Sequence, residues 1–163
     1  MRRRRNQKGF SLIELLIVVA IILIIAAIAI PNLLQARVAA NQASAVGSLR
    51  TVNTAQVSYE SSFPDVGYAA TLPALGGTSC LPPDSTSACL IDNVLSSGTK
   101  NGYVFTLNAG GGPPTAQYFI LAMPNSGSGN NSYCSTEDGV IRFDPTGSSI
   151  ADHDSCIALQ ALQ

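Results

Sequence analysis

The chain has 163 residues, enough for one domain plus an N-terminal apolar segment. Hydrophobic residues make up 46% and charged residues 12%, which excludes a disordered chain. The net charge of −1 hides an asymmetry: five of nine basic residues (Arg2, Arg3, Arg4, Arg5, Lys8) precede Gly9, and the remainder carries four basic against ten acidic residues, so no basic face for nucleic acid remains.

Phe10 to Ile30 is a run of 21 residues. Fifteen are Leu, Ile, Val or Phe, four are Ala, and only Ser11 and Glu14 are polar. As a helix the run covers about 32 Å, the thickness of a bilayer's hydrocarbon core. Its large apolar side chains favour insertion by about 5–9 kcal/mol in sum, against at most about 3 for one carboxylate near its end. The basic cluster before the run places the N-terminus in the cytoplasm and everything from Pro31 onward outside. A secretory signal peptide would have a shorter apolar stretch ending in small residues at a cleavage site, and Ile30-Pro31-Asn32 is a poor one. β-Branched residues on every face argue against the buried helix of a soluble core.

A carboxylate inside this run needs a reason. The stretch "KGFSLIELLIVVAIILIIAAIAIP", Lys8 to Pro31, resembles the class III signal of type IV pilins and of the pseudopilins of type II secretion. The resemblance covers roughly residues 1–60 and lies closest to the type IVa-like pilins. It implies a basic leader, residues 1–9, removed by a membrane-bound prepilin peptidase between Gly9 and Phe10, with N-methylation of Phe10 by the same enzyme. It also implies a role for Glu14. The α-amine released at Phe10 has an ordinary pKa of about 8 and is mostly cationic at neutrality. A cation and a carboxylate are each costly in a dry environment unless paired. With neighbouring helices axially staggered, Glu14 of one subunit meets the Phe10 amine of the next. The bland alternative is an acidic residue favoured in a helix's first turn by the dipole, worth about 0.3–1 kcal/mol.

Pro31 inside the helix cannot donate a hydrogen bond and crowds the carbonyl of Ala27, so a kink is expected there. From Pro31 to Phe63 the stripe Val38, Ala45, Leu49, Val52, Tyr59 has helical spacing. One long helix over 10–62 is predicted, its 10–30 part the transmembrane and assembly segment, ended by Phe63-Pro64. Residues 63–163 read as a loop-plus-sheet domain. A loop region extends to about Asn101, with a helical turn at Leu90–Leu95. Strands follow at Gly102–Asn108, Gln117–Pro124 and Gly139–Pro145, separated by Gly- and Pro-rich turns. The expected fold is α+β and pilin-like: a long N-terminal helix packed on a small antiparallel sheet of three or four strands with disulfide-closed loops.

Four cysteines outside the cytosol permit three pairings. Sequence proximity favours Cys80–Cys89, and Cys134–Cys156 would bracket the last strand and the tail as in the pilin C-terminal loop. Their spacings are not those of a metal site, and His153 is the only histidine, so no metal and no cofactor are expected. Asp152-His153-Asp154 is a weak calcium corner at most and reads better as an exposed polar tail. No nucleophile elbow, P-loop or HExxH is present, and no enzymatic activity is expected. Asn130-Asn131-Ser132 fits a glycosylation sequon that is frequent by chance.

The resemblance implies a structural subunit of a type IV pilus, polymerised through its N-terminal helix. Such filaments serve adhesion, twitching motility or DNA uptake. The alternative is a major-type pseudopilin of a type II secretion system. The implied partners are further copies in a helical filament, the prepilin peptidase and methyltransferase, and the pilus assembly platform and secretin. The precursor would sit in the bacterial inner membrane and the product in an extracellular filament.

Overall fold

The computed structural model describes residues 9–77 and 82–162. The leader residues Met1–Lys8 and Cys80 lie outside them. The chain divides into two units, one ending at Ala36 and one running from Arg37 to Gln163, and each is described by itself.

Helix α1, Leu12–Ser62, is 51 residues long and is assigned without a break across Pro31. In the first unit every residue from Phe10 to Leu34 is exposed except half-buried Ala26. A run of mean hydropathy 3.3 there has no protein partner of its own. An apolar surface of this extent in a soluble monomer would be anomalous; it belongs against lipid or other helices.

In the second unit the remainder of α1 buries Ala45, Ser48, Leu49, Val52, Ala55, Gln56 and Tyr59. Four of the five stripe residues are thus in the core, with Val38 half-buried. The helix ends where Pro64 removes a donor: the Phe63 N–H still reaches the Tyr59 carbonyl at 2.8 Å, and the two rings lie 5.0 Å apart.

Gln56 then fastens the following loop. Its fully buried side chain donates to the Ala69 carbonyl (3.0 Å) and accepts from the Ala69 N–H (2.8 Å), imitating a strand partner. Two single-turn helices lie in the loop region, α2 at Leu72–Leu75 and α3 at Asn93–Ser96. The helical turn expected at Leu90–Leu95 therefore starts later. Asp92 is the cause, since its carboxylate accepts from the Leu95 N–H at 2.9 Å and sets the N-cap.

Five antiparallel strands form one sheet in sequential order: β1 (Thr99–Lys100), β2 (Tyr103–Gly110), β3 (Gln117–Pro124), β4 (Ser132–Thr136) and β5 (Ile141–Asp144). β1 and β2 are joined by Asn101-Gly102, both at positive φ (+47° and +78°), which suits a two-residue hairpin. Tyr103, Phe105 and Leu107 of β2 pair with Pro124, Ala122 and Ile120 of β3 and share the core with α1. Their neighbours face the other way. There Phe119, Leu121, Cys134, Ile150 and Cys156 form a second, smaller core. This second core explains why β3 is buried on both faces over Tyr118–Ala122.

β4 was not among the expected strands. It reads Ser-Tyr-Cys-Ser-Thr and is nevertheless buried throughout. Its hydroxyls are tolerated there because each is bonded. Ser132 Oγ donates to the Ser148 carbonyl (2.6 Å), Ser135 Oγ to the Val140 carbonyl (3.0 Å) and Thr136 Oγ1 to Asp138 (3.0 Å). The sheet thus has one strand more than the largest number expected, and the strand expected at Gly139–Pro145 is the shorter β5.

Helix α4, His153–Ile157, follows, capped by Asp152, whose carboxylate accepts from the Ser155 N–H at 2.8 Å. The tail expected to be an exposed polar segment is therefore ordered: after α4 it returns to β5, with Leu162 N–H on the Ile141 carbonyl at 2.8 Å. Cys134 of β4 and Cys156 of α4 are joined, their Cα atoms 6.0 Å apart.

Candidate assembly and processing site

The N-terminal site is built on the first turn of α1. Ser11 stands immediately before the helix and Glu14 is three residues on, the positions of a capping box. Glu14 Oε2 accepts a hydrogen bond from the Ser11 N–H at 3.0 Å. The carboxylate therefore satisfies one of the orphan donors of the helix start and lies at the positive end of the helix dipole. That contact belongs to the bland reading of Glu14, yet it uses one oxygen. A carboxylate has about four acceptor positions over two oxygens, so the other oxygen can still meet a cation from outside.

Phe10 is 87% exposed. At Gly9 a Cβ would meet nothing within 4 Å, and no positive φ demands glycine there. Among the described residues nothing requires glycine at this position. Gly9 and Phe10 precede the helix and Glu14 lies in its first turn, all three exposed, with the apolar surface of α1 running on from them.

Pro31 lies farther along the same helix, 17 residues from Glu14 in sequence, and takes no part in this turn. The described cysteines lie in the second unit. Cys134 and Cys156 form the bond between β4 and α4. Cys89 is in a disulfide, while Cys80 lies outside the described residues and so does the expected Cys80–Cys89 pair. Among the described residues no three His, Cys, Asp or Glu side chains gather as a metal site.

Sequence reasoning missed the anchoring of His153. Its Nε2 lies 3.0 Å from both oxygens of Glu137 and its Nδ1 lies 3.2 Å from Asp154. The two partners are 16 residues and one residue away in sequence, and only the fold of β4 against α4 brings Glu137 there. It also missed Gln56, whose role depends on where Ala69 lies; no local pattern signals it.

A family profile described as the prokaryotic N-terminal methylation motif matches residues 4–30. The type IV wide pilus major component PilA4 of Thermus thermophilus is 54% identical over 56 residues, 34% of this chain and 43% of that protein. The type IV major pilin protein PilA of Myxococcus xanthus is 52% identical over 56 residues, 34% of this chain and 26% of that protein. The match thus spans less than half the length of either relative. No solved structure matches this chain significantly. Over a third of its length, and through the methylation motif at its N-terminus, the chain is similar to type IV pilins.

Proposed function

We propose that this chain is the structural subunit of a type IV pilus. The leader is removed between Gly9 and Phe10 by a prepilin peptidase, and the new Phe10 terminus is N-methylated. Until assembly, the apolar part of α1 anchors the subunit in the inner membrane. It then packs against the same segment of other subunits in a surface filament. Glu14 of each subunit pairs with the Phe10 amine of a neighbour, so that neither charge is left alone in an apolar interior. Pro31 loosens the helix near Ala27, whose carbonyl has no N–H of residue 31 to accept from.

One observation carries this reading. From Phe10 to Leu34 the helix is almost wholly exposed and apolar, and its one carboxylate sits on the turn beside the cleavage junction. A membrane anchor alone would need the apolar surface but not Glu14, nor a methylation motif. Both relatives carry the names of pilus components, which favours a pilus over a secretion pseudopilus.

The test is to shear cells and determine the N-terminus of the released chain by mass spectrometry. A surface filament whose subunit begins at N-methylated Phe10 is expected. A released chain beginning at Met1, or loss of protein secretion without loss of surface filaments in a deletion strain, contradicts the proposal.

A further inference from the structure

The second unit engages most of its charges within itself. Lys100 meets Asp92, Arg142 meets Asp138, and His153 meets Glu137 and Asp154. Asp84, Asp144 and Asp152 each accept a nearby backbone N–H, from Thr86, Thr146 and Ser155. Among the described residues of this unit, Arg37, Arg50, Glu60 and Asp65 are the charged side chains with no hydrogen bond or ion pair, and all four are exposed. Two are cations on α1 and two are anions at or just past its end, so the two sets match in number and are opposite in sign.

Arg50 stands in the middle of the α1 face opposite the core. Ala43, Gly47, Thr54, Val57 and Ser61 share that face at helical spacing, all of them exposed, Val57 by 57%. The hydroxyls on and beside it are turned inward: Thr51, Thr54, Ser58, Ser61 and Ser62 each donate to the carbonyl four residues back, at 2.8–3.1 Å. The guanidinium is the strong donor that this face keeps available. In water it needs no partner. Taken into contact with another helix, it needs a carboxylate.

We propose, resting on the pilus reading, that this face docks on a second copy of the chain and that Arg50 pairs there with Glu60 of the neighbour. Charge complementarity selects the occupant: the chain itself carries the unengaged carboxylates that its unengaged cations require. Glu60 is the partner because it lies on α1, about 80° round the helix from Arg50 and so at the flank of the same exposed face. Asp65 lies past Pro64, beyond the end of the helix. Arg37, thirteen residues before Arg50, is about 140° round from it and off this face. Ten residues separate Arg50 from Glu60, so parallel neighbours offset by about 15 Å along the helix axis bring the two level.

The test is a charge exchange in the full-length chain, scored as the yield of sheared surface filament. Arg50→Glu and Glu60→Arg, each alone, are expected to lower that yield by about tenfold or more. Immunoblots of the membrane fraction should show the subunit processed and present at the wild-type level, and circular dichroism of the detergent-solubilised chain should show unchanged helix and strand content. The double variant Arg50→Glu with Glu60→Arg restores the pair with its signs exchanged and should recover most of the filament, which neither a folding defect nor a general change of surface charge would produce. A normal yield from either single variant, or a double variant no better than the singles, overturns the proposal and leaves the pilus reading standing. A wild-type chain that forms no surface filament contradicts the pilus reading and removes this proposal with it.

Discussion

Glu14 lies at the positive end of α1 and accepts the Ser11 N–H. Replacing it by Ala removes one cap contact, worth about 1 kcal/mol on an exposed helix start, and makes the segment more apolar. Membrane insertion and cleavage at Gly9 are expected to survive Glu14→Ala. Filament formation is expected to fail if the proposed Glu14–Phe10 pair holds the polymer, since removing one member of a dry ion pair costs about 3–5 kcal/mol per contact. Immunoblots of membrane and sheared fractions read both outcomes. Gly9→Leu meets no obstacle among the described residues, so the folded domain should be unaffected while the unprocessed chain is expected to accumulate in the membrane. A mobility shift on a gel decides this. Gln56→Leu tests a contact of another kind. It leaves the N–H and carbonyl of buried Ala69 without their partner, and a loss of about 2–4 kcal/mol is expected in denaturant unfolding of the detergent-solubilised chain. Glu14 was visible in sequence because a charge in an apolar run is conspicuous. Gln56 was not, because a glutamine in a polar-rich helix is unremarkable until its partner 13 residues on is known.

At the scale of elements, what could be read depended on how the burial was achieved. The α1 stripe was legible since Ala45, Leu49, Val52 and Tyr59 repeat at helical spacing and one face packs on one core. β3 was legible from its Tyr-Phe-Ile-Leu run, and the second core on its other face accounts for the unbroken apolar pattern. β4 escaped because Ser132, Ser135 and Thr136 are buried by hydrogen bonding rather than by apolar character. α4 escaped for a related reason: five residues are too few to show a period, and its stability comes from the Asp152 cap, the His153–Glu137 contact and the disulfide. The disulfide closes a loop over a sequence separation of 22. Replacing Cys134 and Cys156 together by Ser should therefore lower the stability of the domain by about 3 kcal/mol, measured by chemical denaturation with the remaining cysteines kept oxidised. A single replacement would add a free thiol and confuse the reading.

For the molecule as a whole, the two units solve different problems. Residues from Arg37 onward close a core around Leu49, Tyr59, Tyr103 and Ile120 and a smaller one at Cys134 and Cys156. Among the described residues of the first unit none is buried, and the exposed Leu, Ile and Val side chains make an apolar surface suited to lipid or to other chains. On the proposed function, such a chain is stable in a membrane or in a polymer and insoluble between the two. The full-length chain is accordingly expected in the detergent phase of a two-phase extraction, and a chain beginning near Arg37 in the aqueous phase. The reverse partition of the full-length chain would show that the apolar surface is covered by something within the protein. The most direct measurement of the assembly itself is a cryo-electron microscopy reconstruction of the sheared filament at side-chain detail. The expected result is each Glu14 carboxylate within about 4 Å of the terminal nitrogen of Phe10 on an adjacent subunit. A Glu14 side chain directed at lipid or solvent, with no terminal nitrogen near it, would contradict the account.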